Sequence, residues 1–229
     1  MITLVKWQTA KSITDGDNEY SYTYDENGIR TSKTVNGVTT YYNTSDGVIL
    51  SQTDGTNTMY FQYDSFGIPL GFIYNGTQYL YMTNQMGDVI SITDAQGNEL
   101  VEYEYDEWGK LILTRADNQS NESIANINPI RYRGYYYDTE TGYYYLQSRY
   151  YDLSICKFIN ADLPEYAQMQ KDEHTGNNLF AYCGNNPMNI WTITDIGKLR
   201  FIMVIKENIS IIVYLQKEKI LLWYILLGD

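Results

Sequence analysis

Residues 20–42 read YSYTYDENGIRTSKTVNGVTTYY, and this stretch decides the fold class of the whole chain. Tyr20, Tyr22 and Tyr24 alternate with Ser21 and Thr23, a period of two that puts the three rings on one face of a strand. The Asp25 side chain can accept a hydrogen bond from the backbone two residues on, and Gly28 can take positive φ. Asp25-Glu26-Asn27-Gly28 therefore turns the chain. The returning strand, Ile29–Val35, ends at Asn36-Gly37, a strong hairpin signal, and Val38–Tyr42 runs back. Tyr and Thr are favoured here because they suit a pleated, half-buried surface.

The unit repeats. Tyr63-Asp64-Ser65-Phe66-Gly67 and Tyr105-Asp106-Glu107-Trp108-Gly109 reproduce Tyr24-Asp25-Glu26-Asn27-Gly28 at intervals of roughly forty residues, the mark of a repeat architecture. Tyr137-Asp138 has its glycine, Gly142, one place late, and Tyr151-Asp152 has none. Asn84-Gln85-Met86-Gly87 and Asp94-Ala95-Gln96-Gly97 are weaker echoes without the tyrosine. Leu100–Tyr105 sets Val101, Tyr103 and Tyr105 on one face and Glu102 and Glu104 on the other, and Lys110–Thr114 runs back. Tyr143–Tyr151 reads as one further strand, with Arg149 inside it as a packing and ion-pair residue. The fold class is all-β, an antiparallel hairpin meander.

Two regions break the pattern. Asp162–Glu173 predicts a short helix, with Asp162 as cap and Pro164 near the first position. The tail, 198–229, is loaded with Ile and Leu in Phe201–Ile205, Ile209–Leu215 and Ile220–Leu227. Lys206, Glu207 and Gln216–Lys219 interrupt these runs, so none reaches the roughly 18 residues of a transmembrane span. Buried strands, a helix, an unstructured extension and a membrane-contacting segment stay open for it.

Composition narrows function. The 229 residues include 25 Tyr against 6 Phe and 4 Trp, and only 19% are charged, which argues against a helical bundle and against a highly charged disordered chain. The 28 acidic and 16 basic residues leave a net charge of −12, which repels phosphate backbones and argues against a nucleic-acid partner. Cys156 and Cys183 read as separate thiols, with a single bridge closing a loop of roughly 30 residues as the alternative. Met1–Lys11 lacks the apolar run of a secretory signal. His174 stands alone without a nucleophile-elbow motif, no metal-ligand spacing occurs, and no phosphate-cradling loop implies a cofactor. Asp15-Gly16-Asp17 reads as a turn with at most weak affinity for calcium. The tyrosine rows have two readings, cross-strand pairs that stabilise a sheet or a surface that stacks sugar rings.

Residues 128–160 read NPIRYRGYYYDTETGYYYLQSRYYDLSICKFIN. Together with the Tyr-Asp-x-x-Gly units this resembles the Rhs repeat-associated core of the Rhs, wall-associated and teneurin-type YD-repeat proteins. Residues 178–189, NLFAYCGNNPMN, continue the likeness, which extends over about residues 15–195. The resemblance implies a β-ribbon spiralling into a hollow shell, with the core plugging one end and, in bacterial members, a C-terminal toxin region inside. It divides the chain into a YD-repeat region (15–127), an Rhs core (128–195) and an unrelated apolar tail (198–229). It also implies a secreted or cell-surface protein whose partners are the rest of the shell and its toxin region. At this length the chain is expected to be a fragment of such a shell.

Some family members cut their toxin free with an aspartate at a closing D-P-x-G motif. Here the ending departs from that pattern. Asp195-Ile196-Gly197 lacks the proline, Asp162-Leu163 replaces an Asp-Pro pair, and Cys156-Lys157 replaces Gly-Arg. Asp195 and Asp162 are the only catalytic candidates, and for each the alternative is a turn residue or a helix cap. The expected function is a structural, non-enzymatic shell module. The alternatives are aspartyl self-cleavage near Asp195 that releases the tail, and binding of a cell-surface glycan.

Overall fold

The computed structural model of the chain describes residues 2–5, 9–15, 18–161, 178–188, 190–196, 199–206, 209–216 and 219–226. Strands β1 (Ile2–Val5), β2 (Thr9–Asp15), β3 (Asn18–Tyr24) and β4 (Arg30–Val35) lead to β5 (Val38–Ser45), β6 (Val48–Thr53), β7 (Thr58–Tyr63) and β8 (Pro69–Tyr74). With β9 (Thr77–Thr83), β10 (Val89–Asp94), β11 (Glu99–Tyr105) and β12 (Leu111–Ala116) they form a twelve-stranded antiparallel sheet in simple sequence order. Helix α1 (Gln119–Ile127) then leads to a four-stranded sheet of β13 (Tyr136–Asp138), β14 (Tyr143–Leu146), β15 (Arg149–Asp152) and β16 (Lys157–Phe158). A third sheet contains β17 (Ile190–Ile196), β18 (Leu199–Lys206), β19 (Ile209–Gln216) and β20 (Lys219–Leu226). The all-β meander read from the sequence is the observed architecture.

One local rule builds the turns. Asp25 Oδ1 accepts from the backbone N–H of Asn27 (2.9 Å) and Ile29 (2.8 Å), and Gly28 sits at φ 84°. Asp64 and Asp106 do the same with Phe66 and Ile68, and with Trp108 and Lys110. So do Asn84 and Asp94, the echoes that lack a tyrosine. The turn therefore needs Asx at its first position and glycine at its fourth, and the tyrosine belongs to the strand. Asn36-Gly37 and Asn75-Gly76 close hairpins with positive φ at both residues, the type I′ geometry that suits strand twist.

The tyrosine marks a bulge. Register shifts fall between Thr23 and Tyr24, Gln62 and Tyr63, and Glu104 and Tyr105. After each shift the motif tyrosine pairs with the residue six places on, namely Arg30, Pro69 or Leu111. A bulge bends its strand and increases local twist, so the repeat builds curvature at a fixed point. The alternation expected for the rings holds, since Tyr20 and Tyr22 are buried while Thr23 is exposed, and Val101 and Tyr103 are buried while Glu104 is exposed.

Two expectations change. The helix found among the described residues is Gln119–Ile127, inside the span assigned to repeats. Asn118 caps it by accepting from Asn121 N–H (3.0 Å), and only Ile124 and Ala125 are buried, too little apolar periodicity to read from sequence. The stretch Tyr143–Tyr151 is two strands, β14 and β15, because Gln147 takes φ 60° and reverses the chain. Of the readings left open for the tail, strands are the one found, with β18, β19 and β20 paired residue by residue. The predicted helix Asp162–Glu173 lies outside the described residues, as do His174, Gly16 and Asp17.

Gly67 and Gly109 occupy the same turn position at φ 81° and 90°. A Cβ at Gly67 would meet nothing within 4 Å, whereas one at Gly109 would lie 2.5 Å from the Tyr132 ring. Gly67→Ala should therefore cost only the backbone penalty of about 1 kcal/mol. Gly109→Ala should cost about 1–3 kcal/mol more by forcing the ring aside. Urea denaturation of the two variants measures the difference, and equal losses would contradict the close approach.

Candidate functional site

The positions that pair after the bulge carry the signal. In the second unit Pro69 faces Tyr63 and Phe72 faces Phe61. In the first unit the equivalent positions are Arg30, opposite Tyr24, and Lys33, opposite Tyr22. Two cations thus stand where the second unit has apolar residues, and both are buried.

Their partner comes from the core sheet. Asp138 belongs to a Tyr-Asp pair, yet its turn is one residue longer and is closed by Gly142 N–H on the Asp138 carbonyl (2.8 Å). Its carboxylate reaches the first repeat, 108 residues away. Arg30 Nη1 donates to Asp138 Oδ2 (2.6 Å) and Arg30 Nη2 to Oδ1 (3.2 Å). Lys33 Nζ donates to Asp138 Oδ1 (2.9 Å) and lies 2.7 Å from Glu140 Oε1. The Arg30 and Asp138 side chains have no solvent exposure. Two cations and two carboxylates make the cluster neutral, the condition under which charge can be buried.

Tyrosines enclose it. The Arg30 guanidinium lies 4.2 Å from the Tyr145 ring centroid, 4.7 Å from Tyr42 and 5.0 Å from Tyr136, with Tyr22 and Tyr150 at 5.6 and 5.9 Å. These contacts stabilise a desolvated cation by about 2 kcal/mol at close range. Arg30 N–H donates to Tyr145 Oη (2.9 Å), and the Tyr24 and Tyr150 hydroxyls pair at 2.9 Å.

A second set of hydroxyls grips the last repeat turn. Tyr132, Tyr151 and Tyr144 donate to the carbonyls of Glu107 (2.7 Å), Trp108 (3.0 Å) and Gly109 (3.0 Å). Between the two grips, Arg133 N–H donates to Asp88 Oδ1 (2.9 Å) and Val89 N–H to the Arg131 carbonyl (3.2 Å). Arg131 also donates to the Ala125 and Asn128 carbonyls, closing the C-terminal end of α1. Core and meander share one interior.

Burial presses Asp138 toward its neutral form, but Arg30 and Lys33 overcome this and hold its carboxyl below the usual 3.8. Burial also raises the phenols of Tyr42, Tyr81, Tyr135, Tyr150 and Tyr182 well above 10.0, and that of Tyr132 to about 12. The rings of the repeat rows point inward, while Tyr41 and Tyr60 are exposed.

Among the sequence candidates, Asp195 lies on β17 with its backbone in register with Arg200, and Asp162 lies outside the described residues. Arg149 is buried with its guanidinium 3.5 Å from the Phe158 ring centroid, the packing role read from sequence. Cys156 and Cys183 form no disulfide with each other. The Arg30–Asp138 cluster was missed. The available signal was the exchange of Pro69 and Phe72 for Arg30 and Lys33 at matching repeat positions.

A family model described as teneurin YD-shell matches residues 61–188. The chain is 38% identical over 189 residues to the tRNA3(Ser)-specific nuclease WapA of Bacillus spizizenii, and 36% identical over the same length to the tRNA nuclease WapA of Bacillus subtilis. Each alignment spans 77% of this chain and 8% of the relative, so the chain covers a small part of these curated proteins. The crystal structure of TcdB2-TccC3 without its hypervariable C-terminal region matches with a TM-score of 0.63 at 20% identity, over 86% of this chain and 10% of that one. The TcdB2-TccC3 crystal structure gives 0.59 at 19%, over 82% and 10%. These two likenesses concern the fold.

Asp138→Asn leaves the buried Arg30 without its carboxylate and Lys33 with Glu140 alone, and should cost about 3–5 kcal/mol, measured by urea denaturation. Because the folded pKa of Asp138 is depressed, its stabilisation is complete above the unfolded value near 3.8. It is lost as pH falls below that value, through the folded pKa. The buried phenols are raised, so their contribution is complete below pH 10.0 and declines at higher pH by about 1.4 kcal/mol per unit for each phenol. Denaturation across pH should show both flanks, and Asp138→Asn should flatten the acid one. An unchanged acid flank in that variant would contradict the assignment.

Proposed function

The chain belongs to the teneurin YD-shell family, whose model matches more than half of it, and we propose that it works as the closing, non-catalytic segment of such a shell. The observation that carries this reading is the way the core sheet is tied into the meander. Asp138 is drawn into the first repeat by Arg30 and Lys33, while Tyr132, Tyr144 and Tyr151 hold the turn of the last. Both ends of the repeat row are joined to one small sheet. Such an arrangement fixes the curvature that the bulges set up and resists pulling apart.

In this reading the chemistry of the site is mechanical. The ionised and hydroxylated groups of the cluster face one another inside a cage of rings, so they cement two sheets instead of meeting a substrate. The segment would belong to a secreted or cell-surface protein, with the rest of the shell and a C-terminal toxin region as its partners. The nucleolytic activity in the names of the WapA relatives is theirs as whole proteins, of which this segment matches 8%.

Self-cleavage near Asp195 fits less well, since Asp195 lies within a paired strand. The purified chain and an Asp195→Ala variant, incubated side by side and followed by intact mass, should both stay whole over days. A fragment ending near Gly197 that appears only in the unsubstituted chain would overturn the non-catalytic reading.

A further inference from the structure

The tail sheet ends in an open edge. Strand β20 stands last in the order β17–β18–β19–β20 and pairs with β19 on one side only. Gln216 pairs with Lys219 across two intervening residues, the spacing at which the flanking pair exchanges both backbone hydrogen bonds. Alternation then assigns Lys219, Leu221, Trp223 and Ile225 to the ladder with β19. The backbone N–H and C=O groups of Ile220, Leu222, Tyr224 and Leu226 turn to the open edge, and among the described residues no strand pairs with them.

Soluble proteins blunt such an edge with a charge, a proline or a bulge. Ile220–Leu226 contains none of the three. The sheet behind the edge is apolar at positions on both faces. Register places Met203, Ile212 and Trp223 in one cross-strand row, and Val204, Ile211 and Tyr224 in the next row on the opposite face. The tail is also basic, since residues 198–229 hold five Lys or Arg against three Asp or Glu in a chain of net charge −12. The partner that matches is an extended apolar strand attached to an acidic body, and this chain itself carries both.

We propose that the β20 edge binds a second copy of this chain, by antiparallel pairing of the two β20 strands. A two-fold axis makes such a contact self-complementary. Centred on Trp223, it pairs Ile220 with Leu226 of the second copy and Leu222 with its Tyr224, so each residue with open backbone groups gains a partner. The two four-stranded sheets become one continuous sheet. Each basic tail also meets the field of the other copy's acidic body, which favours association. This self-association is separate from the closing role and uses none of the residues of the ion cluster.

Sedimentation equilibrium of the full chain across a concentration series tests the proposal, and a monomer–dimer equilibrium is expected. Leu222→Pro removes one open-edge N–H from each copy while the ladder with β19 keeps its bonds. It should weaken the dimer at least about tenfold. Leu222→Lys keeps the N–H but sets a charge in the pairing strand, and should weaken the dimer as well. Both variants should keep the far-ultraviolet circular dichroism of the parent. A parent chain that stays monomeric throughout the series overturns the proposal, as does a dimer that both variants leave unchanged. Flotation of a monomeric chain with phosphatidylcholine vesicles would assign the tail to a bilayer instead and overturn it too.

Discussion

The ion pair between Arg30 and Asp138 is the constraint on which the rest of the structure depends. Both side chains are fully buried, and neither charge could be buried there without the other except at a cost of several kcal/mol. Each requires the other, so the first repeat and the core sheet must meet in one register. Lys33 and Glu140 complete the charge balance, and the tyrosine faces around Arg30 replace part of the water it has lost. Any docking that separated Arg30 and Lys33 from Asp138 would leave buried charge without its partner.

The tyrosine excess follows from the same constraint. A phenol fills a core as a phenylalanine would, yet its hydroxyl can end on a backbone carbonyl. Tyr63 donates to Ile49 and Tyr105 to Val89 within the meander, while the core tyrosines donate across to the turn at Glu107–Gly109. In a sheet interrupted by a bulge at each motif tyrosine, such carbonyls recur away from the regular ladder. Tyrosine satisfies them without bringing in charge.

Local rules were legible in the sequence and distant pairings were not. The Asx-x-x-Gly turns, the Asn-Gly hairpins and the alternating rings of β3 and β11 rest on contacts within a few residues, and each is found where the sequence puts it. The reversal at Gln147 carries no glycine or proline to announce it, so β14 and β15 read as one strand. Helix α1 buries only Ile124 and Ala125 and lacks an apolar stripe. The ion cluster joins residues 108 apart, beyond any motif, although the repeat itself held the clue. Arg30 and Lys33 replace the apolar Pro69 and Phe72 of the next unit, and two cations at core positions require a buried anion somewhere else in the chain.

The central claim is that meander and core sheet form one cooperative unit held by this cluster. Native-state hydrogen exchange, read by mass spectrometry on peptides covering β4 and β13–β15, tests it most directly. The account predicts that both sets of amides exchange through the same global opening, with one free energy and one denaturant dependence. Exchange of β13–β15 through a lower-energy opening, while β4 stays protected, would contradict it.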